Sequence, residues 1–165
     1  GGEPLILPDV PDLCRRLRAA GVHVTIETAG TVLPATEPTA IADFLSISPK
    51  LASSTPSSAT AGSWAFRHEA TRRRDDVLIA LMQAPHQLKF VIGSPADLAE
   101  ACAWLEDLAR AGATVEPDAV FLMPEGRDPA RLAATAAWLA PEARRCGFHL
   151  APRHHIAWFG DTRGT

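Results

Sequence analysis

Gln87-Leu-Lys-Phe-Val-Ile92 decides the fold, because a lysine stands in the middle of an otherwise apolar run. Side chains of a strand alternate between faces, so Gln87 and Lys89 oppose Leu88, Phe90 and Ile92. Two upstream stretches repeat the pattern. His23-Val-Thr-Ile-Glu27 sets Val22, Val24 and Ile26 against His23, Thr25 and Glu27, and Phe44-Leu-Ser-Ile-Ser48 sets Leu45 and Ile47 against Ser46 and Ser48. Three strands therefore share one polar face. A buried ammonium needs a carboxylate, a carbonyl or a ligand, and Glu27 is the expected partner of Lys89. The competing reading is an edge strand carrying a solvated lysine.

Helical patterns separate the strands. Residues 9–20 place Val10, Leu13, Cys14 and Leu17 at helical spacing, with Pro11 in the first turn and Gly21 at the end. Residues 71–82, 97–111 and 129–145 also read as helices, 119–123 and 148–150 as short strands, and the apolar stretch 155–159 follows the last of these. Residues 52–63, rich in Ser, Thr and Ala with Pro56 and no hydrophobic period, read as a long flexible loop and a candidate lid. The order α-β-β-α-β-α-β-α-β argues for an α/β fold with a parallel sheet or barrel. Parallel sheets are normally apolar on both faces. A polar face points instead to a partial (β/α) barrel whose interior is a ligand cavity, with chemistry at the carboxyl ends of the strands.

Those ends carry Glu27 and Thr28, Ser48-Pro49-Lys50, and Met123-Pro124-Glu125-Gly126. Gly1-Gly-Glu-Pro4 adds a backbone able to approach a ligand closely, a carboxylate for an ammonium group and a fixed exit direction. It opens in the middle of a strand-to-helix turn with no initiator Met, so residues 1–165 read as a single incomplete domain of a longer product. Ser48-Pro49-Lys50 taken alone fits an ordinary turn equally well.

A length of 165 residues allows one core burying roughly 70% of the unfolded surface. With 16 basic and 19 acidic residues there is no electrostatic reason to expect nucleic acid or a membrane surface. No apolar run of about 18 residues is present, and the cytoplasm is the expected location. Cys14, Cys102 and Cys146 match neither a disulfide framework nor a metal-ligand pair and read as reduced core thiols. His149, His154 and His155 stand at no familiar ligand spacing, and neighbours on a strand would face opposite ways. Arg72-Arg-Arg74 before Asp75-Asp76 reads as a solvated helix face, and Trp64, Trp104, Trp138 and Trp158 as packing residues. An ordinary phosphate-binding α/β enzyme lacks support, since no glycine-rich phosphate loop follows a strand.

Taken in order, Gly1-Gly-Glu-Pro-Leu5, Ile26-Glu-Thr-Ala-Gly-Thr31, Ser46-Ile-Ser-Pro-Lys-Leu51, Leu88-Lys-Phe-Val91, Leu122-Met-Pro-Glu-Gly126 and Pro152-Arg-His-His-Ile156 resemble the 7-carboxy-7-deazaguanine synthases, which are radical S-adenosylmethionine enzymes. The resemblance runs to the closing Gly160-Asp-Thr-Arg-Gly-Thr165 and corresponds to the carboxyl-terminal portion of that partial barrel. It implies a carbon–nitrogen lyase that converts 6-carboxy-5,6,7,8-tetrahydropterin into 7-carboxy-7-deazaguanine by radical ring contraction with loss of ammonia, a step toward queuosine in tRNA modification. The implied cofactors are S-adenosylmethionine, a 4Fe-4S cluster and Mg2+, with cluster and Mg2+ ligands in a preceding part and no metal ligand in this segment. An electron donor such as flavodoxin or ferredoxin and a homodimer are also implied.

By position, the resemblance assigns Gly2, Glu3, Ser48, Pro49, Lys50, Met123, Pro124, Glu125 and Gly126 to S-adenosylmethionine, and Glu27, Thr28, Lys89, His155 and Thr165 to the pterin. Ala29 stands where the family usually has Asn, which removes an amide able to donate and accept, and His154 stands where Leu is common. The segment alone is expected neither to assemble the cluster nor to turn over. The alternative is a non-catalytic split subunit or a ligand-binding remnant of the same family.

Overall fold

The computed structural model describes residues 2–160, apart from the side chains of His155 and Ala157. Five parallel strands, β1 (Thr25–Thr28), β2 (Phe44–Ile47), β3 (His86–Ile92), β4 (Val120–Pro124) and β5 (His149–Leu150), lie side by side in chain order. The helices are α1 (Val10–Ala19), α2 (Pro38–Ile41), α3 (Ser58–Ala61), α4 (Ser63–Thr71), α5 (Asp75–Leu81), α6 (Pro95–Arg110), α7 (Pro129–Cys146) and α8 (His154–Phe159). Sequential strand order has a consequence. Every right-handed crossover steps in the same direction, so the crossover helices fall on one face and leave the other uncovered. The sheet is open, with β1 and β5 at its edges, which is the α/β partial barrel that the alternation predicts.

Register sorts the side chains onto two faces. Glu27 lies beside Ser46 and Ser46 beside Gln87, while Lys89 lies beside Phe121, all on the uncovered face. On the helix face Ile26, Leu45, Ile47, Leu88, Phe90, Ile92, Val120 and Leu122 are buried beneath Leu78, Leu81, Trp104, Leu108 and Leu139. A fully buried Trp needs a partner for its N–H. Trp104 meets Phe90 edge-on at 6.2 Å and donates to Asp75 Oδ1 at 2.6 Å.

Several local expectations are corrected. Residues 52–63 contain a 3-10 turn (Ala52–Ser54) and α3, and α4 follows at once, so the segment has regular structure that its composition hides. The helix expected over 71–82 begins later, since α4 ends at Thr71, Arg74 leaves helical geometry (φ −132°, ψ 82°) and the carboxylates of Asp75 and Asp76 favour the start of α5. Arg72, Arg73 and Arg74 are thus a connector whose guanidiniums each meet carboxylates, not a helix face. The stretch after β5 is helical, so His154 belongs to α8. His23 precedes β1, where Asp43 accepts the Val24 N–H at 2.8 Å, and Val22 is exposed. Trp64 and Trp158 are 68% and 70% exposed and do not pack in the core. Only Cys14 is a core thiol, raised by burial against the lowering effect of Arg18. Cys102 and Cys146 are half-buried neighbours on α6 and α7, and burial followed by Cys146 raises the Cys102 thiol.

Candidate functional site

The carboxyl ends of β1 and β2, the Gly2–Glu3 turn and Lys89 of β3 enclose a cavity of about 410 Å³. Gly2, Glu3, Glu27, Thr28, Ala29, Ser46, Ser48, Lys50 and Lys89 line it. A second cavity of about 550 Å³ opens on the other side of Lys50, between Pro49, Ser53, Gly93, Ser94, Asp97, Glu125 and Arg131. Lys50 is shared by both. Of the expected residues, Gly2, Glu3, Glu27, Thr28, Ser48, Lys50 and Lys89 line the first cavity, while Pro49 and Glu125 line the second with Lys50.

Glu3 is the best satisfied group there. Its carboxylate accepts from Leu5 N (3.2 Å), Ala29 N (2.8 Å) and the Thr28 hydroxyl, which lies 2.8 and 2.9 Å from its two oxygens. Thr28 is buried and its Oγ1 also accepts from Gly30 N at 3.0 Å. Gly30 has φ +72°, and a Cβ added to it would lie 2.4 Å from Leu78 Cδ2, so only glycine fits the turn leaving β1. Glu3 thus pins the Gly2 turn to the end of β1.

The remaining charges are looser. Lys89 Nζ lies 3.6 Å from Glu27 Oε1, the expected partner, and the Glu27 side chain is 77% exposed. Lys50 Nζ is 3.4 Å from Ser48 Oγ. Burial, then the like charge of Lys89, pulls the Lys50 pKa down, against Glu3 and Glu27. Gln87 donates to Ser46 Oγ at 2.8 Å and completes the polar floor.

The Met123-to-Gly126 turn divides its residues. Met123 is on the uncovered face beside Val91. Glu125 reaches the second cavity, where it accepts from Arg131 Nη2 at 2.5 Å. Pro124 lies beside Ile92 and lines a separate apolar cavity of about 220 Å³ with Leu150, Pro152 and Ile156. Gly126 offers its carbonyl to Arg153 Nη1 at 2.7 Å. The side chain of His155 and all of Thr165, both expected at the substrate, lie outside the described residues.

Three groups were missed by the sequence reading. Asp97 accepts from Gly93 N and Ser94 N at 2.9 Å each, while Ser94 Oγ accepts from Asp97 N, a reciprocal cap that shapes the end of β3. Burial opposes its ionisation, but hydrogen bonds from Ser53, Gly93 and Ser94 outweigh that and hold its pKa low. The Ser94-x-x-Asp97 spacing after a strand is a legible sign of such a box. Arg131 and Arg72 carry no comparable sign. Arg72 is 11% exposed and joins Glu69, Glu100 and the Lys50 carbonyl, and together with Thr55 it holds Glu69 down at about 2.

Among the described residues no three His, Cys, Asp or Glu side chains converge as metal ligands. Cys14 sits on α1, away from the neighbouring Cys102 and Cys146 of α6 and α7, so the three thiols do not form one ligand set. No helix of the described residues is long and apolar enough to cross a membrane.

Fold and mouth define an open (β/α) partial barrel with a polar cavity at the carboxyl ends of its strands. No protein-family model matches the chain. Over its whole length it is 41% identical to the 7-carboxy-7-deazaguanine synthase of Rhodopirellula baltica and 40% identical to that of Halobacterium salinarum. It spans 62% and 65% of the length of these curated relatives. Its fold matches that of QueE from Escherichia coli with a TM-score of 0.59 at 20% identity, over 93% of this chain and 53% of that one. By sequence, the chain is similar over its whole length to part of these 7-carboxy-7-deazaguanine synthases.

Proposed function

We propose that this chain forms the S-adenosylmethionine and pterin walls of a 7-carboxy-7-deazaguanine synthase, a radical S-adenosylmethionine lyase. The reaction is ring contraction of 6-carboxy-5,6,7,8-tetrahydropterin to 7-carboxy-7-deazaguanine with loss of ammonia, in deazapurine and queuosine biosynthesis. The observation that carries the reading is the convergence of Gly2, Glu27, Ser48, Lys50 and Lys89 on one cavity. S-adenosylmethionine bound beside a reduced four-iron cluster supplies the radical chemistry. The residues of this chain bind and orient. Gly2 and the residues Ser48, Pro49 and Lys50 face the amino-acid part of S-adenosylmethionine, and Met123, Glu125 and Gly126 flank the rest. Glu27 accepts from the donor edge of the pterin, while Lys89 steadies Glu27 and Thr28 fixes the Glu3 turn. His155 and Thr165 belong to the substrate side in the same reading.

Cys14, Cys102 and Cys146 do not fit the cluster. An electron donor, a second copy of the chain and a cytoplasmic setting accompany the proposal. A second reading is a non-catalytic split subunit or ligand-binding remnant of the same family, which binds ligand without its own cluster.

Calorimetric titration of the chain with S-adenosylmethionine tests the proposal. Saturable binding that is weakened by Lys50→Met supports it. Absence of binding together with absence of pterin binding would sink it. Ligand binding without turnover is expected of either reading; turnover restored by a separately encoded cysteine-bearing chain selects the second.

A further inference from the structure

The Lys50 side chain brings a desolvated cation to both cavities, yet its own turn is short and irregular. Its main chain is held from outside the cavity. Arg72 Nη1 donates to the Lys50 carbonyl at 3.2 Å and to Glu100 Oε1 at 2.7 Å. Glu100 accepts in turn from the Ala52 N–H at 2.9 and 3.2 Å. The two charges therefore grip the main chain on both sides of Leu51, which is itself buried. On its other side Arg72 Nε donates to Glu69 at 2.9 Å, and Glu69 accepts from Thr55 at 2.7 Å. Side-chain exposures of 11% for Arg72 and 26% for Glu100 place the pair out of bulk water, where it is screened little.

We infer that Arg72 is a positioning residue: with Glu100 it clamps the Lys50-Leu51-Ala52 main chain so that the Lys50 ammonium is held inside the ligand cavity. The assignment rests on the proposed S-adenosylmethionine site and adds to it a residue that touches no ligand. Groups facing Lys50 are Glu3 from the amino-terminal turn, Glu27 from β1 and Lys89 from β3. Across the second cavity stand Asp97, Glu125 and Arg131.

Charge and position can be separated. Arg72→Gln removes a positive charge near Lys50 and Glu100→Gln a negative one, so electrostatics alone shifts the Lys50 titration in opposite directions. Loss of the clamp lets the ammonium reach water and shifts it upward in both. The experiment measures acetylation of Lys50 against pH by mass spectrometry in the full chain, with Arg74→Gln as the control for an exposed arginine paired with Asp76. Expected is an upward shift in Arg72→Gln and in Glu100→Gln and none in Arg74→Gln. Opposite shifts, or no shift in folded variants, overturn the inference. If Arg72→Gln fails to fold, Glu100→Gln decides alone, because its electrostatic shift is downward. Affinity for S-adenosylmethionine should fall about tenfold in Arg72→Gln, as for loss of one charged hydrogen bond. That fall should vanish in a Lys50→Met background. Wild-type chain that binds no S-adenosylmethionine defeats the functional reading, while the Lys50 titration still decides the clamp.

Discussion

Glu3→Gln tests whether the amino-terminal turn is held by the protein itself or waits for a ligand. The wild-type carboxylate receives Leu5 N, Ala29 N and the Thr28 hydroxyl, all between 2.8 and 3.2 Å. An amide nitrogen at either oxygen position confronts one main-chain N–H with another donor. Losing one charged hydrogen bond costs about 1.5–3 kcal/mol. For a chain of this length a loss of about 2 kcal/mol lowers Tm by about 4–8 °C. Thr28→Val, which leaves Gly30 N without its acceptor at 3.0 Å, costs about 1–3 kcal/mol. Because the two residues share one bond, the double variant should recover about 1 kcal/mol relative to the sum. Urea denaturation of the four proteins without ligand measures this. Additivity within about 0.3 kcal/mol, or a Glu3→Gln chain as stable as wild type, would refute the reasoning.

Other expectations follow from the same cavity. Lys50→Met should raise Tm by about 2–4 °C at neutral pH while weakening S-adenosylmethionine binding, because it removes a desolvated cation. The folded pKa of Lys50 lies below its ordinary 10.5, so the wild-type penalty is full below that lowered value and the gap should close as pH rises toward 10.5. Asp97→Asn should cost about 1–3 kcal/mol at pH 7. The folded pKa of Asp97 is lowered from 3.8, so its contribution is present above 3.8 and lost as pH falls through the lowered value, and acid Tm scans of the two proteins should converge there. Anaerobic reconstitution should leave the chain well short of one four-iron cluster per molecule by iron analysis, because Cys14, Cys102 and Cys146 do not converge; stoichiometric iron with a cluster spectrum would contradict that.

Much of this was legible because alternation in three short strands separates two faces residue by residue. The Lys89–Glu27 pairing followed from a lysine inside an apolar run, and the register then put Ser46 and Gln87 in the same row. What escaped depended on contacts distant in sequence. Arg72 is one of three consecutive arginines, and nothing local separates it from Arg74, which pairs with Asp76 in solvent. Its burial depends on Glu100, 28 residues away. Residues 52–63 escaped for a related reason: their turns are fixed by Glu100 on Ala52 and by Glu69 and His68 on Thr55, not by a hydrophobic period. The helix at His154–Phe159 is too short for periodicity to separate it from a strand.

The fold gives like residues unlike work. Glu3 and Glu27 both lie at the carboxyl end of β1, yet Glu3 has its acceptors filled by the chain while Glu27 is open to solvent and meets Lys89 at 3.6 Å. The two lysines divide in the same way, since Lys89 has Glu27 beside it, whereas among the described residues Lys50 meets the Ser48 hydroxyl at 3.4 Å and no carboxylate in ion-pair range. A ligand gains most from groups the protein leaves unsatisfied, because it then replaces water and not an existing internal bond. In the proposed site, recognition would therefore fall to Glu27 and Lys50. Glu3, Thr28, Arg72 and Glu100 serve by holding the two turns that present them, and a variant of the second group should alter affinity only through the first.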